Sequence, residues 1–216
     1  AYNLQTHKHR GTFGVPLVAG GKVLYPSFSN SLQAMDAKTG KALWEFPKYE
    51  KPPQTKHWPK GPPSQSPLLM GETVVWSVKD TTYGLAVDTG KVVWENKTRV
   101  YVPSMVVKNG YLYAVADAGI AYCWKSDTGE EMWKKRLGGT FNASPVIVGD
   151  RVFATNEEGT TFIYKATPDS YESLGENSLG EGIFATPTYC HDHIFMRAVN
   201  RNGEGRQEVL YCIGKK

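Results

Sequence analysis

The chain alternates short apolar runs with polar turns, at a spacing that fits strands. A run such as LLM or VIV meets a turn containing Gly, Asn or Asp, and a second run follows, VVW, YLYAV or VFAT. A polar turn such as ADAG or NEEG comes next. A third run then ends near Asp-Thr-Gly, and a fourth carries a tryptophan. The runs are filled by β-branched and aromatic residues and bounded by turn formers, which is the signature of strands. No useful length of the chain shows the 3.6-residue period of an amphipathic helix. The expectation is an all-β chain of consecutive antiparallel strands.

The pattern repeats. Its first half occurs five times, as VPLVAGGKVLY, SPLLMGETVVW, PSMVVKNGYLY, SPVIVGDRVFA and TPTYCHDHIFM, beginning near Val15, Ser66, Pro103, Ser144 and Thr186. Three copies continue into DAKTGKALW, VDTGKVVW and SDTGEEMW, ending at Trp44, Trp94 and Trp133. Repeats of about 40 residues with four strands each, arranged radially, are the blades of a β-propeller. The whole chain, 1–216, reads as one propeller domain or part of one, with a proline-rich inter-blade segment over 45–65.

The special residues of the repeat are expected to be structural. Gly40, Gly90 and Gly129 suit a turn that needs positive φ. Asp36, Asp88 and Asp127 are expected to cap turn backbone groups. Trp44, Trp94 and Trp133, each four residues past the glycine, are expected to cover the gap between adjacent twisted sheets.

These residues carry a resemblance. Pro16 to Tyr25 with Gln33 to Trp44, Ser66 to Trp76 with Gly84 to Trp94, and Pro103 to Tyr113 with Gly119 to Trp133 resemble the repeat of the quinoprotein-like β-propeller family. Ser144 to Phe153 and Thr186 to Phe195 match its first half. The resemblance implies a disc of seven or eight blades, of which this chain would be the C-terminal part. The alternative is a closed five-bladed disc in which Tyr2 to Gln5 completes the last blade beside Leu210 to Ile213. Enzymatic members of the family resemble larger discs that hold a calcium-bound quinone, often beside adjacent cysteines. This sequence has no adjacent cysteines and no assignable calcium ligand set. It therefore resembles the non-enzymatic branch, whose members include an exported scaffold in outer-membrane protein assembly. That implies a periplasmic or extracellular location, no cofactor, and a partner that is another protein or an extracellular polymer. An alcohol or sugar dehydrogenase dependent on pyrroloquinoline quinone is the competing class, and carbohydrate or peptide binding is another.

Composition narrows this further. Hydrophobic residues make up 40% and charged residues 21%, which fits a folded globular chain and excludes coiled coil and general disorder. The net charge of +4 is too mild to demand nucleic acid, and no nucleic-acid motif is present. No apolar stretch is long enough for a membrane helix. No GxSxG, P-loop or GxGxxG is placed where its chemistry needs it. Cys123, Cys190 and Cys212 are expected to be buried small hydrophobes. The pairs His7/His9 and His191/His193 have chelating spacing but no completing ligands, and no metal site is assigned.

The interruptions of the repeat are where function is expected. The segment EFPKYEKPPQTKHWPKGPPSQ contains a basic, aromatic cluster, Lys56, His57, Trp58 and Lys60, on a proline-stiffened loop. The fourth unit loses its Thr-Gly turn and its tryptophan. The fifth carries MRAVNRNGEGRQEVLYC, expected to be a long polar loop, with Arg197 and Arg201. These six residues form the expected binding surface.

Overall fold

The computed structural model describes residues 14–27, 31–48, 65–202 and 205–214, and among them there is no helix. The strands form five separate sheets, each an antiparallel meander in chain order and none closed on itself. The first holds β1 (Leu17–Ala19), β2 (Lys22–Pro26), β3 (Leu32–Asp36) and β4 (Ala42–Phe46). The second holds β5 (Leu68–Met70), β6 (Thr73–Val78), β7 (Thr81–Ala86) and β8 (Val92–Asn96). The third holds β9 (Val106–Lys108), β10 (Tyr111–Ala116), β11 (Ile120–Lys125) and β12 (Glu131–Arg136). The fourth holds β13 (Val146–Val148), β14 (Arg151–Thr155), β15 (Thr160–Lys165) and β16 (Ser173–Ser178). The fifth holds β17 (Thr188–Cys190), β18 (His193–Asn202) and β19 (Gly205–Gly214).

Packing divides the chain into two compact units. One is Ala1–Tyr101 with Asp127–Gly129; the other is Val102–Ser126 with Glu130–Lys216. In the first unit Leu24, Leu32 and Ala34 pack with Val74, Trp76, Val78 and Leu85. In the second, Tyr113, Val115, Cys123 and Trp133 pack with Val152, Ala154, Phe162 and Tyr164. Strands β6 and β10 are buried on both faces from their second residue onward. This is why VVW and LYAV read as unbroken apolar runs, as doubly covered strands do. Each fully buried Val or Leu contributes about 1.5–3 kcal/mol to such a core.

Two expectations are corrected. The 196–212 stretch is not a loop. Strand β18 pairs with β19 at every position from His193↔Gly214 to Asn202↔Gly205. Met196, Ala198 and Val199 are buried while Arg197 and Arg201 are exposed, and the polar exposed residues disguised the strand. The cysteines also differ from one another. Cys123 is buried in the core, whereas Cys190 and Cys212 are exposed free thiols. Cys190 lies on β17 and Cys212 on β19, the two outer strands of sheet five, and both strands are largely exposed, so TYC and LYCI do not imply burial.

Candidate interaction surface

Two kinds of chain segment meet at one end of the sheets in the second unit. They are the turns between second and third strands and the connections from one sheet to the next. Phe141 N–H donates to the Asp117 carbonyl at 3.1 Å, and Glu157 N–H to the Thr140 carbonyl at 2.7 Å. Ile183 N–H donates to the Glu157 carbonyl at 3.0 Å. Glu181 N–H donates to the Val199 carbonyl at 2.7 Å, and Val199 N–H returns a bond to Gly182 O at 2.8 Å. The connections 137–143 and 179–183 are thus held by backbone bonds at each step, and irregular chain fixed this way presents its side chains with little ordering cost.

A second series of bonds joins, through hydroxyl groups, the segments that lead into the first strands of successive sheets. Ser104 N–H donates to Ser144 Oγ at 2.9 Å, and Ser144 N–H donates to Thr186 Oγ1 at 3.0 Å. In the first unit Val15 N–H donates to Ser66 Oγ at 3.0 Å. The Ser or Thr before the proline of SPLL, SPVI and TPTY therefore has a specific task. Nearby, buried Gln65 accepts from Ser77 N–H at 3.0 Å. Ser77 Oγ in turn accepts from Val100 N–H at 3.1 Å and from the Thr82 hydroxyl at 3.1 Å.

The expected binding residues divide. Lys56, His57, Trp58 and Lys60 lie outside the described residues. Arg197 and Arg201 are exposed on β18. Glu208 pairs with Arg197 at 3.4 Å and with Arg206 at 2.8 Å, and Arg201 stands directly across from Arg206. The Arg201 backbone N–H donates to Glu181 Oε2 at 2.8 Å. Exposed Phe184 follows the same connection. Neither Glu181 nor Phe184 is among the expected binding residues, although LGEGIFATP repeats the form of LGGTFNASP at 137–145 and so marks them as connection residues.

The repeat residues occupy turns and packing positions. Trp44 Nε1–H donates to the Val87 carbonyl at 2.9 Å, and its ring lies over Gly90. Trp94 covers Gly129 in the same manner. Trp133 donates to the Thr167 carbonyl at 2.9 Å and meets Tyr164 and Tyr171 edge-on. The fourth sheet thus receives the indole without a Thr-Gly turn. Opposite the three tryptophans stand Ala34, Gly84 and Cys123, each ten positions earlier in the chain. Each outer strand carries a β-bulge just before that pairing, which re-aims the tryptophan.

The aspartates are not equivalent. Asp36 Oδ1 accepts from Thr39 N–H at 2.7 Å, Lys38 N–H at 3.1 Å and the Thr39 hydroxyl at 2.7 Å. The Thr39 hydroxyl is the main reason its carboxyl stays below the usual range. Asp88, two positions before its glycine rather than four, instead pairs with Lys22 at 2.6 Å. Gly40, Gly90 and Gly129 all adopt φ near +70°.

Among the described residues no group of three His, Cys, Asp or Glu side chains could hold a metal, and no helix is long and apolar enough to cross a membrane. Burial raises the thiol of Cys123 to about 12, despite a hydrogen bond from Tyr113 that opposes the rise. That is the reverse of what an active nucleophile needs.

The sequence matches the family model described as outer membrane protein assembly factor BamB, over residues 5–100 and 78–167. The chain belongs to this family. The crystal structure of BamB from Moraxella catarrhalis superposes with a TM-score of 0.68 at 17% identity, covering 92% of this chain and 61% of that one. A computationally designed protein, Ika8, superposes with a TM-score of 0.65 at 13% identity, covering 92% and 57%. At these identities the likeness establishes a β-propeller fold of the BamB type. The chain spans about three-fifths of the length of these structures. No curated protein gave a significant match.

Proposed function

We propose that this chain is a non-catalytic, protein-binding propeller module that serves outer-membrane protein assembly outside the cytoplasm. The observation that supports it most is where the chain places its special residues. The repeated Asp, Gly and Trp residues are engaged in turns and in packing, as Trp44 on Gly90 illustrates. The exposed and irregular residues gather on connections and on the β18–β19 hairpin. A rigid scaffold with side chains held at one end of its sheets is suited to recognition. The family description supplies the process.

The residues proposed for binding are Lys56, His57, Trp58 and Lys60 in the first unit and, separately, Arg197 and Arg201 in the second. An indole beside cations gives an anchor with large contact area and electrostatic steering. The test is affinity capture from an envelope fraction with the wild type and a Lys56→Ala, Trp58→Ala double variant. Loss of a specific outer-membrane assembly partner in the variant supports the reading. The dehydrogenase alternative makes its own demand. A rise in melting temperature with pyrroloquinoline quinone and calcium, accompanied by alcohol- or sugar-dependent dye reduction, would overturn the proposal.

A further inference from the structure

Sheet five differs from the other four in the length of its central hairpin. In sheets two to four the second and third strands have five or six residues and turn at once. In sheet five each has ten, and pairing continues without a register shift to Asn202↔Gly205. The hairpin therefore extends as an arm past the point where its counterparts end. The 180–183 connection braces it through the paired bonds of Glu181 and Gly182 with Val199 and through Glu181 Oε2 on the Arg201 N–H.

One face of this arm breaks a pairing rule. Arg201 and Arg206 stand directly opposite each other, and like charges in that relation are unfavourable. Glu208 shows how the same face resolves such a conflict, since its carboxylate sits between Arg197 and Arg206. Between Arg206 and Arg201 no carboxylate of the described residues takes that place. Paired guanidinium groups are suited to carboxylates because each planar fork can donate two parallel N–H bonds to the carboxylate oxygens.

We propose that this arm binds an acidic segment of the protein partner, with Arg201 and Arg206 seating one side-chain carboxylate; the inference rests on the protein-binding reading above. An anionic lipid surface fits less well. Each arginine gains only about 1 kcal/mol there.

The test is fluorescence anisotropy on the full chain with a labelled peptide alternating Glu and Thr. The same peptide with Gln for Glu and vesicles containing phosphatidylglycerol serve as comparators. The Glu peptide is expected to bind, with affinity falling as salt rises, and the comparators to bind at least about tenfold more weakly, as expected when charge-assisted bonds are lost. Arg201→Glu with Arg206→Glu should abolish binding, and Arg201→Gln with Arg206→Gln should weaken it about tenfold while the melting temperature stays unchanged. Wild-type affinity in both double variants, or binding of vesicles but not of the peptide, would overturn the proposal. If the arm variants bind normally while Lys56→Ala, Trp58→Ala still loses its protein partner, the arm is misassigned and the module reading stands. If neither set changes any binding, both fail.

Discussion

Trp44 lies over Gly90, and its indole N–H closes on the Val87 carbonyl at 2.9 Å. A Cβ at Gly90 would stand 2.6 Å from Trp44 Cε3, so the glycine is required twice, once by its φ of +66° and once by the ring above it. Gly40 has the first requirement without the second, since nothing lies within 4 Å of its Cβ position. Gly40→Ala should therefore cost roughly 1–2 kcal/mol, the penalty of a left-handed conformation, and Gly90→Ala clearly more. Denaturant midpoints of the two variants measure the difference, and equal losses would mean that the indole yields freely.

Trp94 fills the space between Gly84 and Gly129 and is almost fully buried. Trp94→Ala should destabilise by about 3–5 kcal/mol, as large aromatic truncations in cores do. Urea unfolding checks this, and a loss below about 1 kcal/mol would place the side chain outside the core.

The hydroxyl series between the segments leading into the first strands predicts a smaller effect. Ser144→Ala removes the acceptor of the Ser104 N–H and should cost about 1 kcal/mol, the net value of one such bond. Hydrogen exchange should show faster exchange at the Ser104 amide, and unaltered protection there would contradict the assignment.

Thiol chemistry should separate the three cysteines. Cys190 and Cys212 are exposed, whereas Cys123 is buried with its thiol raised to about 12. A maleimide at pH 7 should label two thiols in the folded chain and the third only on unfolding. Mass spectrometry of the native adduct gives the count.

Asp36 supplies a pH dependence. Its carboxyl is lowered below 3.8 chiefly by the Thr39 hydroxyl, so folding favours the charged form. The contribution is present above the unfolded-state value and is lost as pH falls through the lower folded-state value. The stability difference between wild type and Asp36→Asn should be constant from pH 5 to pH 7 and disappear in acid, a trend that pH-resolved denaturation can follow.

Much of the strand order was legible because the apolar runs are bounded by Gly, Asn and Asp turns, as at Gly71, Asn109 and Gly149. The β18–β19 arm was not legible. Its outward side chains are arginines and a glutamate, and a polar hairpin with Gly205 at its turn has the composition of a loop. The equivalence of Asp36 and Asp88 was misread because both stand near a Thr-Gly, while their offsets of four and two positions give them different acceptor geometry. Ala34, Gly84 and Cys123 could have been found, since each precedes its tryptophan by ten positions and is smaller than its neighbours.

Site-specific photocrosslinking in the native envelope tests the central claim most directly. A photoreactive residue at Glu158 or Phe184 sits at the end of the sheets where turns and connections meet, and one at Asp150 sits in the turn at the opposite end of sheet four. Crosslinks to an outer-membrane assembly protein are expected from Glu158 and Phe184 and none from Asp150. Crosslinks from Asp150 alone would contradict that claim.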